Sequence, residues 1–398
     1  MRRARRAPWV SGHLPGSRKL GLSTTAIHGG AERPRPGEGV AHPVVQAVNY
    51  AQEPGTSEGL MYTRYGNTPN AVRVQKRLAL LEGAEAALVL ASGMAATACS
   101  MLALLRPGDH MISSAWIYGG TRRLFTEDLP GMGIEVTFVN PLEPRAWRKA
   151  LRKNTRVIFI ETPVNPTCRV LELASLKQLA TSQGLALVID STLASPINLR
   201  PIEHGVDVVI HSATKYLNGH HDILAGVVCG SEPFVDECKR KMAIWGQAPD
   251  PFACWLLERG LKTLEIRIKR QNETALDVAE WCSTRPEISK VHYSGLPSHP
   301  DHEIAKATMD GFGGMLGIEL RGGGPAALKF LRKLQLFTHA ASLGGADSLV
   351  IEPRYSSHEH MTADERAKIG IPDGFVRVSI GLENSDDLIL DLEQALAQ

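Results

Sequence analysis

The feature that most constrains this chain is an alternation of short apolar runs with helix-like stretches, from about residue 84 to about residue 230. Seven runs are nearly continuous in apolar residues, as strands covered on both faces should be: 86–91, 111–113, 135–139, 157–160, 185–189, 206–210 and 226–229. Helical periodicity lies between them, for example over 94–105 and 173–183. This order predicts an α/β fold in which about seven mostly parallel strands are sandwiched by helices.

The chain is long enough for a second unit beyond this sheet. Its 398 residues, 43% of them hydrophobic, can bury a large core and a smaller one. A long helical pattern follows Gly260, and residues 315–320 and 375–380 have the character of strands. Residues 29–70 are rich in Gly and Pro and indicate an extended arm that packs on a neighbouring subunit. We predict three parts: an N-terminal arm over 1–67, a large domain over 68–262 and a small α+β domain over 263–398.

The composition favours a small-molecule partner. The formal net charge is only +2, and no basic stripe interleaved with aromatic residues occurs in the body of the chain, so we expect no nucleic-acid partner. The six cysteines lack paired spacing, which argues against a disulfide framework and against a metal site. No apolar run reaches the roughly 18 residues of a membrane span, so we expect a cytoplasmic protein without membrane association.

The first segment is more basic than the rest, with six Arg and Lys residues before the first acidic residue, Glu32. An organelle-targeting peptide has this composition, as does a flexible basic arm or a segment before a mis-assigned start codon. Pro8, Gly12 and Pro15 interrupt any helix there, which favours the last two alternatives. We expect residues 1 to about 20 to be flexible.

A lysine follows the sixth apolar run, in Ser212-Ala213-Thr214-Lys215-Tyr216. Its amine would stand at the mouth of the sheet beside two hydroxyl groups, which can bind a phosphate without neutralising the amine. A partly desolvated lysine stays nucleophilic, so Lys215 is a candidate for a Schiff base with a carbonyl cofactor. A lysine at a strand end is more often a solvated charge. The choice between these two interpretations depends on other residues.

An aspartate, Asp190, directly follows the fifth run. It would lie at the carboxyl edge of the sheet, where ligands bind in such folds. A buried carboxylate needs a cationic partner, and a protonated pyridine nitrogen would be one. Keeping that nitrogen protonated makes pyridoxal phosphate (PLP) an electron sink. The alternative is an aspartate that caps the next helix.

Two glycine-containing segments also fit a cofactor site. In Ser92-Gly93-Met94 a glycine after an apolar run opens a helix, so backbone amides and the helix dipole would face an anion such as a phosphate. In Ile117-Tyr118-Gly119-Gly120-Thr121 small neighbours would let the tyrosine ring lie flat on a heteroaromatic cofactor. Ser-Gly pairs are common in loops, and core packing is the alternative for Tyr118.

One arginine is suited to bind a carboxylate. In Phe375-Val376-Arg377-Val378-Ser379-Ile380 the alternation directs the guanidinium of Arg377 away from the apolar face. If its own face borders a cleft, Arg377 can hold a substrate carboxylate with two parallel hydrogen bonds. A strand charge that faces away from the core is otherwise solvated.

Together these residues resemble the Cys/Met-metabolism family of PLP-dependent enzymes over roughly residues 22–397. That family includes cystathionine γ-synthase, cystathionine γ-lyase, methionine γ-lyase and the O-acylhomoserine sulfhydrylases. The motifs that carry the resemblance occur in the family's order: Tyr62-Thr63-Arg64, Ser92-Gly93-Met94, Tyr118-Gly119-Gly120-Thr121, Glu161-Thr162-Pro163-Val164-Asn165-Pro166, Asp190-Ser191-Thr192, Ser212-Ala213-Thr214-Lys215, Ser342-Leu343-Gly344-Gly345 and Arg377-Val378-Ser379-Ile380-Gly381.

For the cofactor, the resemblance implies a fold-type I PLP enzyme in which Lys215 forms the Schiff base, Asp190 pairs with the pyridine nitrogen and Tyr118 stacks on the ring. The implied phosphate ligands are Gly93, Met94, Ser212 and Thr214. Tyr62 and Arg64 match positions that reach the phosphate of the neighbouring subunit. The active unit would then be a dimer, and two such dimers would form a tetramer.

For the substrate, the resemblance implies that Asn165, Ser342 and Arg377 hold its carboxylate and the phenolic oxygen of the cofactor. The freed Lys215 would move protons at the α-carbon and then the β-carbon, with Tyr118 assisting the leaving group. We expect a carbon–sulfur lyase that acts by γ-elimination on cystathionine, or on homocysteine or methionine. The alternatives are a γ-replacement transferase acting on an O-acylhomoserine, and a non-catalytic relative that binds or regulates.

Some positions depart from the family's usual pattern. Asn67-Thr68-Pro69 stands where Asn-Pro-Thr is common, and Asp347 stands where Glu is usual. Gly120 occupies the position at which methionine γ-lyases typically carry a cysteine, and Leu343 replaces the tryptophan common in bacterial β-lyases. The distal group of the substrate is therefore the least determined part of the prediction.

Overall fold

A seven-stranded sheet forms the centre of the larger part of the molecule in the computed structural model, which describes residues 19–359 and 361–397. Its strands are Ala86–Leu90 (β1), His110–Ser114 (β2), Glu135–Val139 (β3), Thr155–Glu161 (β4), Ala186–Asp190 (β5), Val208–Ser212 (β6) and Gly226–Gly230 (β7). The spatial order is β1-β7-β6-β5-β4-β2-β3. Strands β2 to β6 are mutually parallel, whereas β7 is antiparallel to both of its neighbours. The predicted mostly parallel sheet is confirmed.

Helices cover both faces of this sheet. In chain order they are Leu22–His28 (α1), Pro69–Glu82 (α2), Gly93–Leu104 (α3), Gly119–Arg123 (α4), Leu129–Gly131 (α5), Pro144–Lys149 (α6), Leu173–Gln183 (α7), Ser195–Asn198 (α8), Glu232–Trp245 (α9) and Pro251–Leu261 (α10). Ile189 and Val209 belong to one core with Leu78 of α2, whereas Val188 and Ile210 belong to a second core under α3 and α9. Burial on both sides is why these strands are almost purely apolar.

The second sheet has five strands and its own core. The strands are Ile288–His292 (β8), Met315–Leu320 (β9), Thr338–His339 (β10), Leu349–Ile351 (β11) and Phe375–Ser379 (β12), in the order β10-β11-β12-β9-β8. Its helices are Leu264–Ser283 (α11), His302–Thr308 (α12), Gly323–Lys333 (α13), Ala363–Lys368 (α14) and Ser385–Leu396 (α15). Val278 of α11 packs there with Ile318, Val376 and Leu392. The predicted smaller α+β unit is present.

The segment between α1 and the short turn Thr63–Tyr65 contains no helix or strand over residues 29–62, all of which are described. One isolated β-bridge joins Asn49 to Tyr62. Val40, Val44 and Val48 are exposed along it. The segment that was predicted to be flexible, residues 1 to about 20, lies almost wholly outside the described residues. Within the described part of the chain, no helix has the length and apolarity to cross a membrane.

Candidate active site

A cavity of about 550 Å³ lies where the carboxyl edge of the large sheet meets the second sheet. Ten of the twelve site residues predicted from the sequence line it: Gly93, Met94, Tyr118, Asn165, Asp190, Ser212, Thr214, Lys215, Ser342 and Arg377. Tyr62 and Arg64 lie elsewhere. Because parallel strands end at one edge, residues that are distant in sequence meet there.

Lys215 lies in the turn that follows β6, and its Nζ donates a hydrogen bond to Oγ of Ser342 at 2.7 Å. Burial, with a smaller contribution from the Arg377 guanidinium, lowers the pKa of the Lys215 amine to about 8. A large fraction of the amine is therefore neutral slightly above neutral pH. An amine of this kind can attack a carbonyl carbon.

Asp190 is the last residue of β5. Its Oδ1 accepts hydrogen bonds from the backbone N–H of Thr192 at 3.0 Å and from the Thr192 hydroxyl. Burial raises the pKa of Asp190, although the Thr192 bonds and the nearby His211 oppose that shift. A cation at Oδ2 would stabilise the carboxylate, so the position suits a protonated ring nitrogen.

The start of α3 forms an anion cradle against β6. The side chain of Ser92 caps the helix by accepting from the N–H of Ala95 at 3.0 Å, and the amides of Gly93 and Met94 have no acceptor within the helix. A Cβ on Gly93 would lie only 2.7 Å from Cβ of Ser212, so a side chain there would push the cradle apart. These amides and the Ser212 hydroxyl fit a phosphate.

Thr214 lies at the rim of the same cradle, directly before Lys215. Its hydroxyl donates to the carbonyl oxygen of Ala225 at 3.3 Å and accepts from the Ala225 N–H at 3.1 Å. To donate to a phosphate, this hydroxyl must exchange the longer of these two bonds. The main donors to a phosphate in the cradle are therefore the amides at the start of α3 and the Ser212 hydroxyl.

Arg377 reaches the cavity from β12 of the second sheet. Its Nη1 donates to Oδ1 of Asn165 at 3.2 Å, and its Nη2 donates to the carbonyl oxygen of Ser342 at 2.6 Å. Burial lowers the pKa of Arg377 to about 10, which still leaves it charged at neutral pH. The face of Arg377 borders a cleft, as its proposed carboxylate contact requires.

Tyr118 precedes α4, and its ring lines the cavity with 44% of the residue exposed. Core packing, the alternative for this residue, does not describe its environment. A Cβ on Gly120 would lie 2.7 Å from Cε1 of the Tyr118 ring. The small neighbour therefore makes room for the ring, as the sequence indicated.

Tyr62 and Arg64 lie on the arm, away from the cavity of their own chain. The guanidinium of Arg64 is 5.6 Å from the centres of the Tyr62 and Tyr65 rings and donates to the carbonyl oxygen of Ala243 at 3.2 Å. Among the described residues that line the cavity, Lys215 and Arg377 are the only Lys or Arg residues. Within the same described part of the chain, no group of three or more His, Cys, Asp or Glu residues is placed to hold a metal ion.

Thr192 and Glu161 are two of the lining residues to which the sequence reasoning gave no role. Thr192 bonds to Asp190, and its Oγ1 also accepts from the N–H of Ser212 at 2.8 Å, so it ties the ends of β5 and β6 together. Glu161 ends β4 as Asp190 ends β5, and the two are paired in register. The shared position at a strand end is the signal that could have identified Glu161.

The geometry defines an α/β enzyme with a lysine-centred site that fits PLP. The chain matches the family model described as "Cys/Met metabolism PLP-dependent enzyme" over residues 23–397. The chain therefore belongs to this PLP-dependent enzyme family. The alternative of a non-catalytic relative has no support, because the chain retains the lysine site and its relatives are enzymes.

The similarity extends over nearly the whole chain. It is 38% identical to the L-methionine gamma-lyase of Fusobacterium nucleatum subsp. nucleatum, covering 95% of this chain and 98% of the relative. It is 40% identical to the cystathionine beta-lyase of Coxiella burnetii, covering 96% and 99%. The crystal structure of a cystathionine gamma synthase from Xanthomonas oryzae pv. oryzae, in complex with aminoacrylate and cysteine, superposes with a TM-score of 0.91 at 34% identity, covering 95% and 98%.

Proposed function

We propose that this enzyme is a carbon–sulfur lyase that acts by γ-elimination on cystathionine or on a related sulfur amino acid such as homocysteine or methionine. The observation that carries the proposal is the meeting of Lys215, Tyr118 and Arg377 in one cavity. These are an amine that can move protons, a hydroxyl that can assist a leaving group, and a cation for the substrate carboxylate. The relatives named as lyases support carbon–sulfur cleavage.

The residues that would hold PLP surround the large-sheet side of the cavity. The proposed set is Lys215 for the covalent linkage, Asp190 for the ring nitrogen, Tyr118 for the ring, and Gly93, Met94, Ser212 and Thr214 for the phosphate. PLP, when bound, would supply the electron sink for a carbanion at the substrate α-carbon. The cradle at α3 and the buried carboxylate match the two ends of such a group.

The chain's own groups account for the remaining chemistry. Arg377, held by Asn165, would bind the substrate carboxylate and fix the α-carbon near Lys215. The Lys215 amine accepts a proton in its neutral form, and its bond to Ser342 keeps it on the substrate side of the cavity. The hydroxyl of Tyr118 would donate a proton to the departing sulfur.

We further propose a homodimer in which Tyr62 and Arg64 of each chain reach the phosphate in the other chain's cavity. The two cations in the described lining, Lys215 and Arg377, have other proposed roles, and a phosphate in the cradle at α3 is better held with a further cation. Two dimers would form a tetramer. We place the division of each chain at 1–67, 68–262 and 263–398, and propose a cytoplasmic enzyme with a small-molecule substrate.

A γ-replacement transferase acting on an O-acylhomoserine is the second candidate. It uses the same catalytic groups, and the solved neighbour named as a cystathionine gamma synthase has the same fold. The difference is whether a thiol enters the cavity before the product leaves. The cavity of about 550 Å³ has room for a second small molecule.

Product analysis separates these reactions. The purified holoenzyme is incubated with cystathionine, homocysteine or methionine, and with O-acylhomoserines plus cysteine or sulfide. We expect 2-oxobutanoate and ammonia from the thioethers and from homocysteine. Pyruvate from cystathionine would instead show β-elimination. Thiol-dependent capture of an O-acylhomoserine, without oxo acid from any sulfur amino acid, would establish the transferase.

A further inference from the structure

Glu161 is a second buried carboxyl group at the edge of the large sheet. It ends β4, lines the cavity and is paired in register with Asp190 at the end of β5. Only 4% of the residue is exposed. Two neighbouring buried carboxyl groups oppose each other's ionisation, so this position is unfavourable unless Glu161 has other contacts that stabilise it.

Those contacts are two backbone amides from different loops. Oε2 of Glu161 accepts from the N–H of Tyr118 at 2.7 Å, and Oε1 accepts from the N–H of Asn165 at 2.9 Å. Tyr118 lies between β2 and α4, whereas Asn165 lies in the loop that follows β4. One carboxyl group thus connects the residue that faces the ring position with the residue that orients Arg377.

We propose that Glu161 is a positioning residue that holds Tyr118 and Asn165 as one unit, so that the ring-stacking surface and the carboxylate site keep a fixed separation. This inference rests on the proposed function for the roles of those two residues. Glu161 acts through their backbones and does not need to touch the substrate. Any shift of one loop relative to the other would misplace the substrate carboxylate against the reacting α-carbon.

The electrostatics fit this arrangement. Burial, reinforced by Asp190, raises the pKa of Glu161 to about 8, while the two amide donors oppose the shift. The charged groups that share its cavity are Asp190, Lys215 and Arg377. A cation held by Asp190 would offset one of the two negative charges. Ionised Glu161, the better acceptor for both amides, is then favoured in the loaded enzyme.

The chain contains a matched control. Glu172 also accepts from two backbone amides, those of Ala174 at 2.9 Å and Ser175 at 3.0 Å, but it is exposed, caps α7 and does not line the cavity. Glu172→Gln makes the same side-chain change and disturbs the same kind of contact. It therefore reports what the loss of a carboxylate bound to two amides does to stability outside the cavity.

The test compares Glu161→Gln and Glu161→Asp with Glu172→Gln. In Glu161→Gln an amide donor faces one of the two backbone N–H groups, so one side of the bridge is lost. We expect the affinity of the apoprotein for PLP to fall about tenfold and KM to rise about tenfold, with a smaller change in kcat. Glu161→Asp keeps the charge but shortens the reach and should show a weaker form of both effects. Glu172→Gln should leave PLP affinity and KM within about twofold of the wild type.

Folding is checked by thermal melting of each apoprotein. If Glu161→Gln does not fold, the inference is tested with Glu161→Asp instead. PLP affinity and KM that stay within about twofold in the folded variant would overturn the inference. If PLP affinity falls in Glu161→Gln but the wild type turns over no sulfur amino acid, the proposed function fails and the role of Glu161 at the ring position stands. If the wild type turns over a sulfur amino acid but the Glu161 variants keep its PLP affinity and KM, the proposed function stands and the inference about Glu161 fails.

Discussion

The two walls of the active site are built in different ways. The cofactor wall, defined as Asp190, Ser212 and Lys215, comes from the ends of neighbouring parallel strands and the turn after them. The substrate wall, defined as Ser342 and Arg377, comes from the second sheet, and Arg377 lies within an antiparallel strand. The cofactor wall is thus fixed by one sheet, whereas the substrate wall depends on how two sheets pack. Changes to the first should affect cofactor retention, and changes to the second should act mainly on substrate binding.

The largest effect is expected from Lys215→Ala. Without the amine the cofactor cannot be linked covalently and the main proton acceptor is lost, so turnover should fall at least about 1000-fold. The visible absorption band of lysine-linked PLP should also disappear. Lys290→Ala, which changes an exposed lysine, is the control. A band that persists in the Lys215 variant would disprove the assignment of the linkage.

Asp190→Asn should produce the next largest loss. A neutral amide does not stabilise a protonated ring nitrogen, so kcat should fall about 100-fold or more even though a covalent linkage still forms. The measurement pairs steady-state kinetics with absorption spectra. Asp387→Asn, at the exposed start of α15, should leave both unchanged. Wild-type turnover in Asp190→Asn would show that another group faces the ring nitrogen.

Arg377→Lys tests the substrate wall alone. Lysine keeps the positive charge but loses the two-pronged geometry, so KM should rise about 10-fold to 100-fold through the loss of one charged hydrogen bond. PLP affinity should be unaffected. The exposed Arg332, changed to Lys, controls for the substitution itself. A large loss of PLP in Arg377→Lys would mean that the two walls are not separable.

The smallest effect concerns the electrostatic link between the walls. Because the pKa of Lys215 is lowered to about 8, the rate at which apoprotein captures PLP should rise about tenfold per pH unit below pH 8 and level off above it. Arg377 contributes to that lowering, so Arg377→Gln should move the midpoint to higher pH. Stopped-flow absorbance across a pH series measures both. An unchanged midpoint would show that burial alone sets the pKa.

The cofactor wall was largely predictable because its residues directly follow apolar strands. Asp190 and Lys215 were both assigned to the cavity edge from that pattern, and both line the cavity. Glu161 has the same relation to β4, but that signal was not used, and its contacts to two backbone amides could not be predicted. A side chain that binds backbone atoms of other loops leaves no pairing signal in the sequence.

The placement of Tyr62 and Arg64 shows a different limit. The resemblance implied that they reach the phosphate of a neighbouring chain, and within one chain they lie on the arm beside α9. The sequence contains no distance information between an arm and a cavity. Neither residue lines the cavity of its own chain, so a single chain does not show the contact, and it stays a proposal about a neighbouring chain.

The sequence by itself determined the α/β architecture, because buried parallel strands require continuous apolar runs and their ends must present the polar residues that follow them. It also determined which lysine and which aspartate stand at that edge. The tertiary structure alone decided that Arg377 faces the same cavity, that Ser342 accepts from Lys215, and that Glu161 joins two loops. Those contacts join segments up to 127 residues apart. Their geometry follows from the packing of two sheets, which no local pattern specifies.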